Sequence, residues 1–191
     1  MKRKLLSLLL CLSMLLSLCV SANAEAVSSE AALTAAIEQG TDVQLQNNIT
    51  LSAPLTVEKT MTLDLNGKTL TYTGNGSIIT VKNATLTIID SGAEYVDGVL
   101  RKYGSITSQN TATSEKGGGL YIDDGGTVEL TAGALLECAA SKNGGGVYVA
   151  YGGKLHMTGD SMIQSCKAPA GGGMYIELGG IATMDGGRIS S

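Results

Sequence analysis

The stretch GGGVYVAYGGKLHMT, from Gly144 to Thr158, decides the fold because it occurs three times at one spacing. GGGLYIDDGGTVELT begins 27 residues earlier at Gly117, and GGGMYIELGGIATMD begins 27 residues later at Gly171. The glycine triplets, the glycine pairs and a tyrosine recur at this same interval. A fixed period of this size indicates stacked supersecondary units, each of which packs against the next along the chain.

Apolar and polar residues alternate inside each unit. Tyr148 lies between two valines, and His156 lies between a leucine and a methionine, which is the pattern of half-buried strands and not of helices. Short strands joined by glycine bends predict an all-β parallel solenoid, with glycines at corners where φ is positive or stacked backbones approach closely.

The N-terminal segment 1–24 predicts a secretory signal peptide. Basic residues at positions 2–4 precede an apolar run at 5–20, and the sequence ANA at 22–24 is a small-residue cleavage site. We therefore expect cleavage after Ala24 and a secreted or cell-surface protein. No second hydrophobic run follows, so the mature chain is expected to have no transmembrane segment.

Residues 25–191 are expected to form one parallel β-helix domain. Within it, 25–104 should hold an N-terminal cap and irregular coils, and 105–191 the regular coils of 27 residues, whose last repeat stops short at Ser191. The sequence SSEAALTAAIEQG at 28–40 predicts a short helix that covers the exposed strand edges at this end. Residues 91–104 interrupt the pattern and are expected to bulge from a bend.

The irregular coils are expected to stack the apolar residues of one turn on those of the next. Val57, Leu63 and Leu65 should lie over Val81, Leu86 and Ile88. The pair Asn66-Gly67 permits a tight hairpin as an alternative, but the later repeats favour continuation of the solenoid.

Composition limits both the core and the partners. The chain has no Phe and no Trp, so its core is expected to consist of stacked Leu, Ile, Val and Met. The formal net charge is −4 and the mature part has no basic cluster, which argues against nucleic acid as a partner.

The units GGGVYV and GGKLHMTG, with MTLDLNGKTLTYTG at 61–74, resemble the right-handed parallel β-helix repeat proteins of bacterial surfaces. These belong to the pectin-lyase-like fold group and include many adhesin-like proteins. The resemblance implies the fold over residues 41–191. It does not choose between an adhesin-like role, polysaccharide cleavage and a passive stalk, because one scaffold carries all three.

Two cysteines remain in the mature chain. The interval from Asn110 to Cys138 equals the interval from Cys138 to Cys166, so the three are expected to form one column on successive coils. Neighbouring cysteines in such a column can form a disulfide in a secreted protein, or they can remain as two small buried thiols. Two cysteines and one distant histidine do not make a metal site, so no metal and no cofactor are expected.

No catalytic residue can be nominated. Asp123 and Asp124 occupy a bend, but the equivalent positions of the next coil carry no paired carboxylates, so neither a hydrolase pair nor a lyase cluster emerges. His156 is the only histidine and is expected to point outward in a column with Glu129 and Thr183, as a solvated side chain and not as a catalyst.

Tyr121, Tyr148 and Tyr175 are the candidate ligand-binding residues. Strand alternation turns them outward, one strand spacing apart, so they form either an exposed aromatic surface for sugars and proteins or simple cross-strand packing. We expect a non-catalytic, adhesin-like stalk or glycan-contacting surface whose partner is an extracellular glycan or a host or cell-surface protein. The alternatives are a polysaccharide lyase or glycoside hydrolase with its catalytic coils elsewhere, and a passive spacer.

Overall fold

The computed structural model of the protein describes residues 24–109 and 114–191. Residues 1–23 of the predicted signal peptide and Asn110 of the predicted column lie outside the described residues. In chain order the described residues form one helix, α1 (Glu30–Gln39), and 22 strands. The strands up to residue 102 are β1 (Glu25–Val27), β2 (Val43–Leu45), β3 (Ile49–Thr50), β4 (Leu55–Val57), β5 (Met61–Asp64), β6 (Thr69–Thr71), β7 (Ile79–Val81), β8 (Thr85–Ile89), β9 (Glu94–Val96) and β10 (Val99–Lys102). The later strands are β11 (Ser105–Thr107), β12 (Ser114–Lys116), β13 (Leu120–Ile122), β14 (Thr127–Leu130), β15 (Ala134–Leu136), β16 (Ala140–Asn143), β17 (Val147–Val149), β18 (Lys154–Met157), β19 (Met162–Gln164), β20 (Met174–Ile176), β21 (Ile181–Met184) and β22 (Arg188–Ser190).

Three long parallel sheets hold most of these strands. Sheet A has the order β1-β2-β5-β8-β14-β18-β21, sheet B has β3-β6-β11-β15-β19-β22, and sheet C has β4-β7-β13-β17-β20. From β4 onward, a strand of sheet C is followed by one of sheet A and one of sheet B before the chain returns to sheet C. The prediction of an all-β chain with stacked parallel strands is confirmed, and the architecture is consistent with a parallel β-helix.

The core consists of three aliphatic columns, one behind each sheet. Each column continues through consecutive strand pairs, and its members are fully buried or nearly so. The columns are Leu63, Ile88, Leu130 and Met157 in sheet A, Leu70, Ile106, Leu135 and Ile163 in sheet B, and Val57, Val81, Ile122 and Val149 in sheet C. Burial of each such side chain contributes about 1.5–3 kcal/mol to stability.

The register of the early coils differs from the prediction. Val57 pairs with Val81 as expected, but Leu63 pairs with Ile88, so the predicted stacking of Leu63 on Leu86 and of Leu65 on Ile88 is wrong. Side chains alternate with a period of two, so a slip of two residues keeps Leu63 inside and leaves no trace in the hydrophobic pattern.

Helix α1 lies across the first strands of sheets A and C. The Ser29 hydroxyl accepts a hydrogen bond from the Ala32 N–H at 3.3 Å, and Gly40 ends the helix with a φ of 72°. Leu33 and Ile37 are buried on the face that packs against β1 and β4. The helix forms where the sequence predicted it and packs its apolar face on this end of the stack.

The interruption at 91–104 contains a β-hairpin. Strands β9 and β10 pair in antiparallel fashion, and the turn residues Asp97 and Gly98 have φ values of 52° and 73°. After the hairpin the stack resumes, since Ser105 pairs with Thr69. By contrast, the Asn66-Gly67 turn joins β5 of sheet A to β6 of sheet B and makes no hairpin.

The glycine triplets form the corners that precede sheet C. Gly144 has a φ of 65°, which glycine adopts without a steric penalty. Gly145 fits for another reason, because a Cβ atom there would overlap with the carbonyl oxygen of Gly172 on the next coil. The Gly145 N–H donates to the Gly171 carbonyl at 3.2 Å, so the corners bond directly to one another.

Candidate functional site

Tyr121, Tyr148 and Tyr175 form a stack along sheet C, which we call the tyrosine ladder. Each is the central residue of its strand, and Tyr148 pairs in register with both of the others. The neighbours of Tyr148 in β17, Val147 and Val149, are fully buried in the core, so the tyrosines lie on the opposite face of the sheet. The ring centroids are 5.4 Å apart for the first pair and 5.3 Å for the second, with interplanar angles of 5° and 11°.

The ladder is less exposed than the sequence suggested. Tyr148 retains only 2% of its accessible surface, and Tyr121 and Tyr175 are half-buried. The stacked rings cover both faces of Tyr148, and Lys116 Nζ lies 4.6 Å from its ring centroid. The expectation of an exposed central ring is therefore corrected, because stacking and a lysine from β12 cover it.

Two side chains of opposite charge, Lys116 and Glu177, lie near Tyr148. Burial raises the pKa of Tyr148, and the nearby Glu177 carboxylate acts in the same direction. A hydrogen bond to the Tyr148 hydroxyl raises the pKa of Lys116 above its ordinary value. The ladder therefore combines phenol groups with a lysine and a glutamate, a set of groups that can donate to and accept from a polar ligand. Sequence reasoning missed Lys116 and Glu177, since neither belongs to the tyrosine column.

His156 is part of a bridge that joins three coils. Its Nδ1 lies 2.8 Å from Glu129 Oε2, and its Nε2 lies 2.9 Å from Asp185 Oδ2. The hydrogen bond to Asp185, followed by the one to Glu129, raises the pKa of His156. The predicted neighbours Glu129 and Thr183 do pair with His156 in sheet A. The sequence did not reveal Asp185, which follows β21 and reaches back to the ring.

Cys138 and Cys166, the two cysteines of the described residues, lie on adjacent coils as free, buried thiols. The Lys167 N–H donates to the Cys138 carbonyl at 2.9 Å, and Ala139 bridges to Lys167, which places Cys138 beside Cys166. A hydrogen bond with the Cys166 thiol, together with burial, raises the pKa of Cys138. Such a thiol is a poor nucleophile, and the column packs as small apolar residues do.

Two buried carboxylates at the corner between sheets A and B were not predicted. Asp64, 1% exposed, accepts hydrogen bonds from the N–H groups of Asn66 and Ser91, both at 2.9 Å. Asp90, 7% exposed, accepts from the N–H groups of Gly67 at 2.6 Å and Gly104 at 2.5 Å. An aspartate two residues before a turn residue is a known turn-forming pattern, and DLNG at 64–67 carried that signal. Both carboxylates therefore stabilise the corner by accepting hydrogen bonds from backbone N–H groups.

Within residues 24–109 and 114–191, no three His, Cys, Asp or Glu side chains are arranged to hold a metal ion. In the same residues, no helix has the length and apolar character needed to span a bilayer.

Comparison of the chain with protein-family models, curated proteins and solved structures gives no match.

Proposed function

We propose that the protein is a secreted or cell-surface β-helix module that acts, without catalysis, as an adhesin-like stalk with a contact surface for an extracellular glycan. The tyrosine ladder carries this proposal, because it stacks three phenol groups in one line, with Lys116 and Glu177 near the central one. The basic, apolar and ANA segments within 1–24 support secretion.

The proposed scaffold is a right-handed parallel β-helix of the pectin-lyase-like group, with coils of 27 residues in its regular part. The paired tyrosines support this coil length, since Tyr121 pairs with Tyr148 and Tyr148 with Tyr175. Right-handed crossovers between parallel strands are the general rule, which favours that hand here. Such a rod is stiff because each coil is bonded to its neighbours on three faces.

The ladder contacts its ligand through hydroxyl groups more than through ring faces. Both faces of Tyr148 are covered by its neighbours, so a sugar ring cannot stack on it. Tyr121 and Tyr175 keep part of their surface accessible. Phenol hydroxyls, a lysine and a glutamate together complement the hydroxyl groups of a glycan by hydrogen bonding.

A matched set of tyrosine variants tests this proposal on a glycan array. Tyr121→Phe combined with Tyr175→Phe keeps the stacked rings but removes two hydroxyls, and should reduce binding about tenfold. Tyr151→Phe is the control, because Tyr151 is 69% exposed and lies outside the ladder. Equal binding by the double variant and the control would refute the role of the ladder.

The burial of Tyr148 favours a second candidate function, a passive spacer in which the ladder only protects sheet C. The same array separates the two functions. A spacer binds no glycan above background, and its tyrosine variants change thermal stability alone.

A further inference from the structure

A cleft of about 440 Å³ lies between the β9–β10 hairpin and the corner that joins sheets A and B in the last two coils. We call it the hairpin cleft. The hairpin supplies Val99 and Leu100, and Tyr103 follows just after it. The coils supply residues 159–162 and 187–188. The volume falls in the range of sites that bind small molecules.

The hairpin is tied to the coils at one edge of the cleft. The Tyr95 hydroxyl donates to Asp160 Oδ2 at 2.5 Å, across 65 residues of sequence. This hydrogen bond raises the pKa of Tyr95, so the phenol stays protonated at neutral pH. Within the hairpin, Lys102 and Glu94 form an ion pair at 2.6 Å. These contacts hold the wall of the cleft in place.

The cleft contains two opposite charges that do not pair with each other. Asp160 and Arg188 both line it, and Arg188 makes no ion pair with any carboxylate of the described residues. The guanidinium donates to Met162 Sδ at 3.4 Å, and a thioether is a weak acceptor. A ligand that carries a carboxylate and an ammonium group would engage both charges.

The other side chains of the lining are apolar, apart from Tyr103 and the buried hydroxyl of Ser161. Val99, Leu100 and Met162 line the cleft, which gives an aliphatic side chain a surface to pack against. Ser161 also lines it and is fully buried, and its Oγ has no hydrogen-bond partner in the described part of the chain.

We propose that the hairpin cleft binds a free α-amino acid with an apolar side chain. The carboxylate pairs with Arg188, the ammonium pairs with Asp160, and the side chain packs on Leu100 and Met162. A neutral sugar would leave both charges unmatched, and a simple acid would face Asp160 without a compensating cation. This site is separate from the tyrosine ladder, so it stands or falls independently of the proposed glycan contact.

Four ligands test the proposal on the unmodified chain by isothermal titration calorimetry or NMR shift perturbation. Leucine should bind, whereas leucinamide lacks the carboxylate, N-acetyl-leucine lacks the ammonium charge, and glycine lacks the side chain. Each loss should weaken binding about tenfold or more. Glucuronate is added as an acid without an apolar side chain. Absence of leucine binding, equal binding of the analogues, or binding of glucuronate as tight as that of leucine would each overturn the proposal.

Three variants locate the site on the chain. Arg188→Gln and Asp160→Asn should each weaken leucine binding about tenfold, and the asparagine keeps an oxygen that accepts from Tyr95. Arg101→Gln is the matched control, since Arg101 is an exposed cation of the hairpin that does not line the cleft. Unchanged thermal unfolding shows that the variants fold. Leucine binding that survives in Arg188→Gln as it does in Arg101→Gln would refute the assignment.

Discussion

The early coils and the late coils turn the corner between sheets A and B by different means. In the early coils, the buried carboxylates of Asp64 and Asp90 accept hydrogen bonds from corner N–H groups. In the late coils, the corner N–H groups donate to backbone carbonyl groups of the neighbouring coil. An example is the 2.8 Å hydrogen bond from the Gly187 N–H to the Gly159 carbonyl. The corner N–H groups are thus satisfied by side-chain carboxylates in the early coils, and by closely approaching backbone carbonyl groups in the late coils.

This difference indicates which substitutions each region tolerates. A corner held by a carboxylate depends on a few buried polar atoms, and loss of one leaves several N–H groups without a partner. A corner made by glycines requires that several residues lack a side chain, because the stacked backbones approach closely there. The first two glycine triplets before sheet C, at 117–119 and 144–146, are the strongest case of the second kind, because three consecutive positions leave no room for a Cβ atom.

The largest effect is expected from Gly145→Val, which attacks the glycine corner. The new side chain would collide with backbone carbonyl groups of the next coil, so the free energy of unfolding should fall by about 3 kcal/mol or more. Gly98→Ala is the control, because a Cβ at Gly98 meets no atom within 4 Å and only its φ of 73° is unfavourable. That change should cost about 1 kcal/mol. Urea titration of both variants measures the difference, and equal losses would contradict close approach as the cause.

Asp90→Ala attacks the carboxylate corner and should cost about 2–3 kcal/mol, because the N–H groups of Gly67 and Gly104 lose their acceptor. Asp124→Ala, at an exposed bend of a late coil, should change the unfolding free energy by less than about 0.5 kcal/mol. Thermal unfolding followed by circular dichroism provides the comparison. A loss at Asp124 as large as that at Asp90 would remove the distinction between the two regions.

Tyr148→Ala tests whether side-chain stacking adds to the stability of the late coils. Removal of a ring that is 2% exposed and stacked on two others should cost about 2 kcal/mol. Tyr148→Phe keeps the stack and should cost about 0.5–1 kcal/mol. Denaturant midpoints of the two variants give the contribution of the ring apart from that of the hydroxyl. If both variants lose the same amount, the stacked rings contribute nothing.

The smallest effect is expected at the half-buried His156 bridge, and it depends on pH. Glu129 and Asp185 raise the pKa of the folded histidine above its ordinary value of 6.5. The charged bridge therefore stabilises the folded state fully below about pH 6.5, and this contribution is lost as the pH rises through the folded-state pKa. The stability difference between the wild type and His156→Gln should be larger at about pH 6 than at about pH 9, as measured by urea titration at both values. A difference that is constant with pH would show that the bridge acts without charge.

Repeat spacing and alternation predicted much of the late coils. The common interval of Tyr121, Tyr148 and Tyr175 predicts that like pairs with like, and they do pair in register. Alternation also indicated which side chains form the core, because any register that preserves it turns the same residues inward. For this reason the inward position of Leu63 was predictable although its partner was not.

Contacts between distant segments were harder to predict. Lys116 covers Tyr148 from a strand of the preceding coil, and nothing in the repeat pattern relates the two. The burial of Asp64 and Asp90 contradicts the usual preference of carboxylates for the surface, and depends on backbone N–H groups that converge only in the folded corner. The positive φ of a triplet could be expected, but only the structure places it at Gly144 and leaves Gly145 constrained by the next coil instead.

The β9–β10 hairpin also shows that the stack accepts an insertion at one corner. The chain leaves sheet A after β8, makes the excursion, and re-enters sheet B at Ser105 in register with Thr69, so the layers above and below it are undisturbed. At its tip, a Cβ atom added at Gly98 would meet no atom within 4 Å. A peptide inserted at Asp97 and Gly98 should therefore leave the register of the three sheets unchanged, because β11 pairs with both β6 and β15 after the excursion.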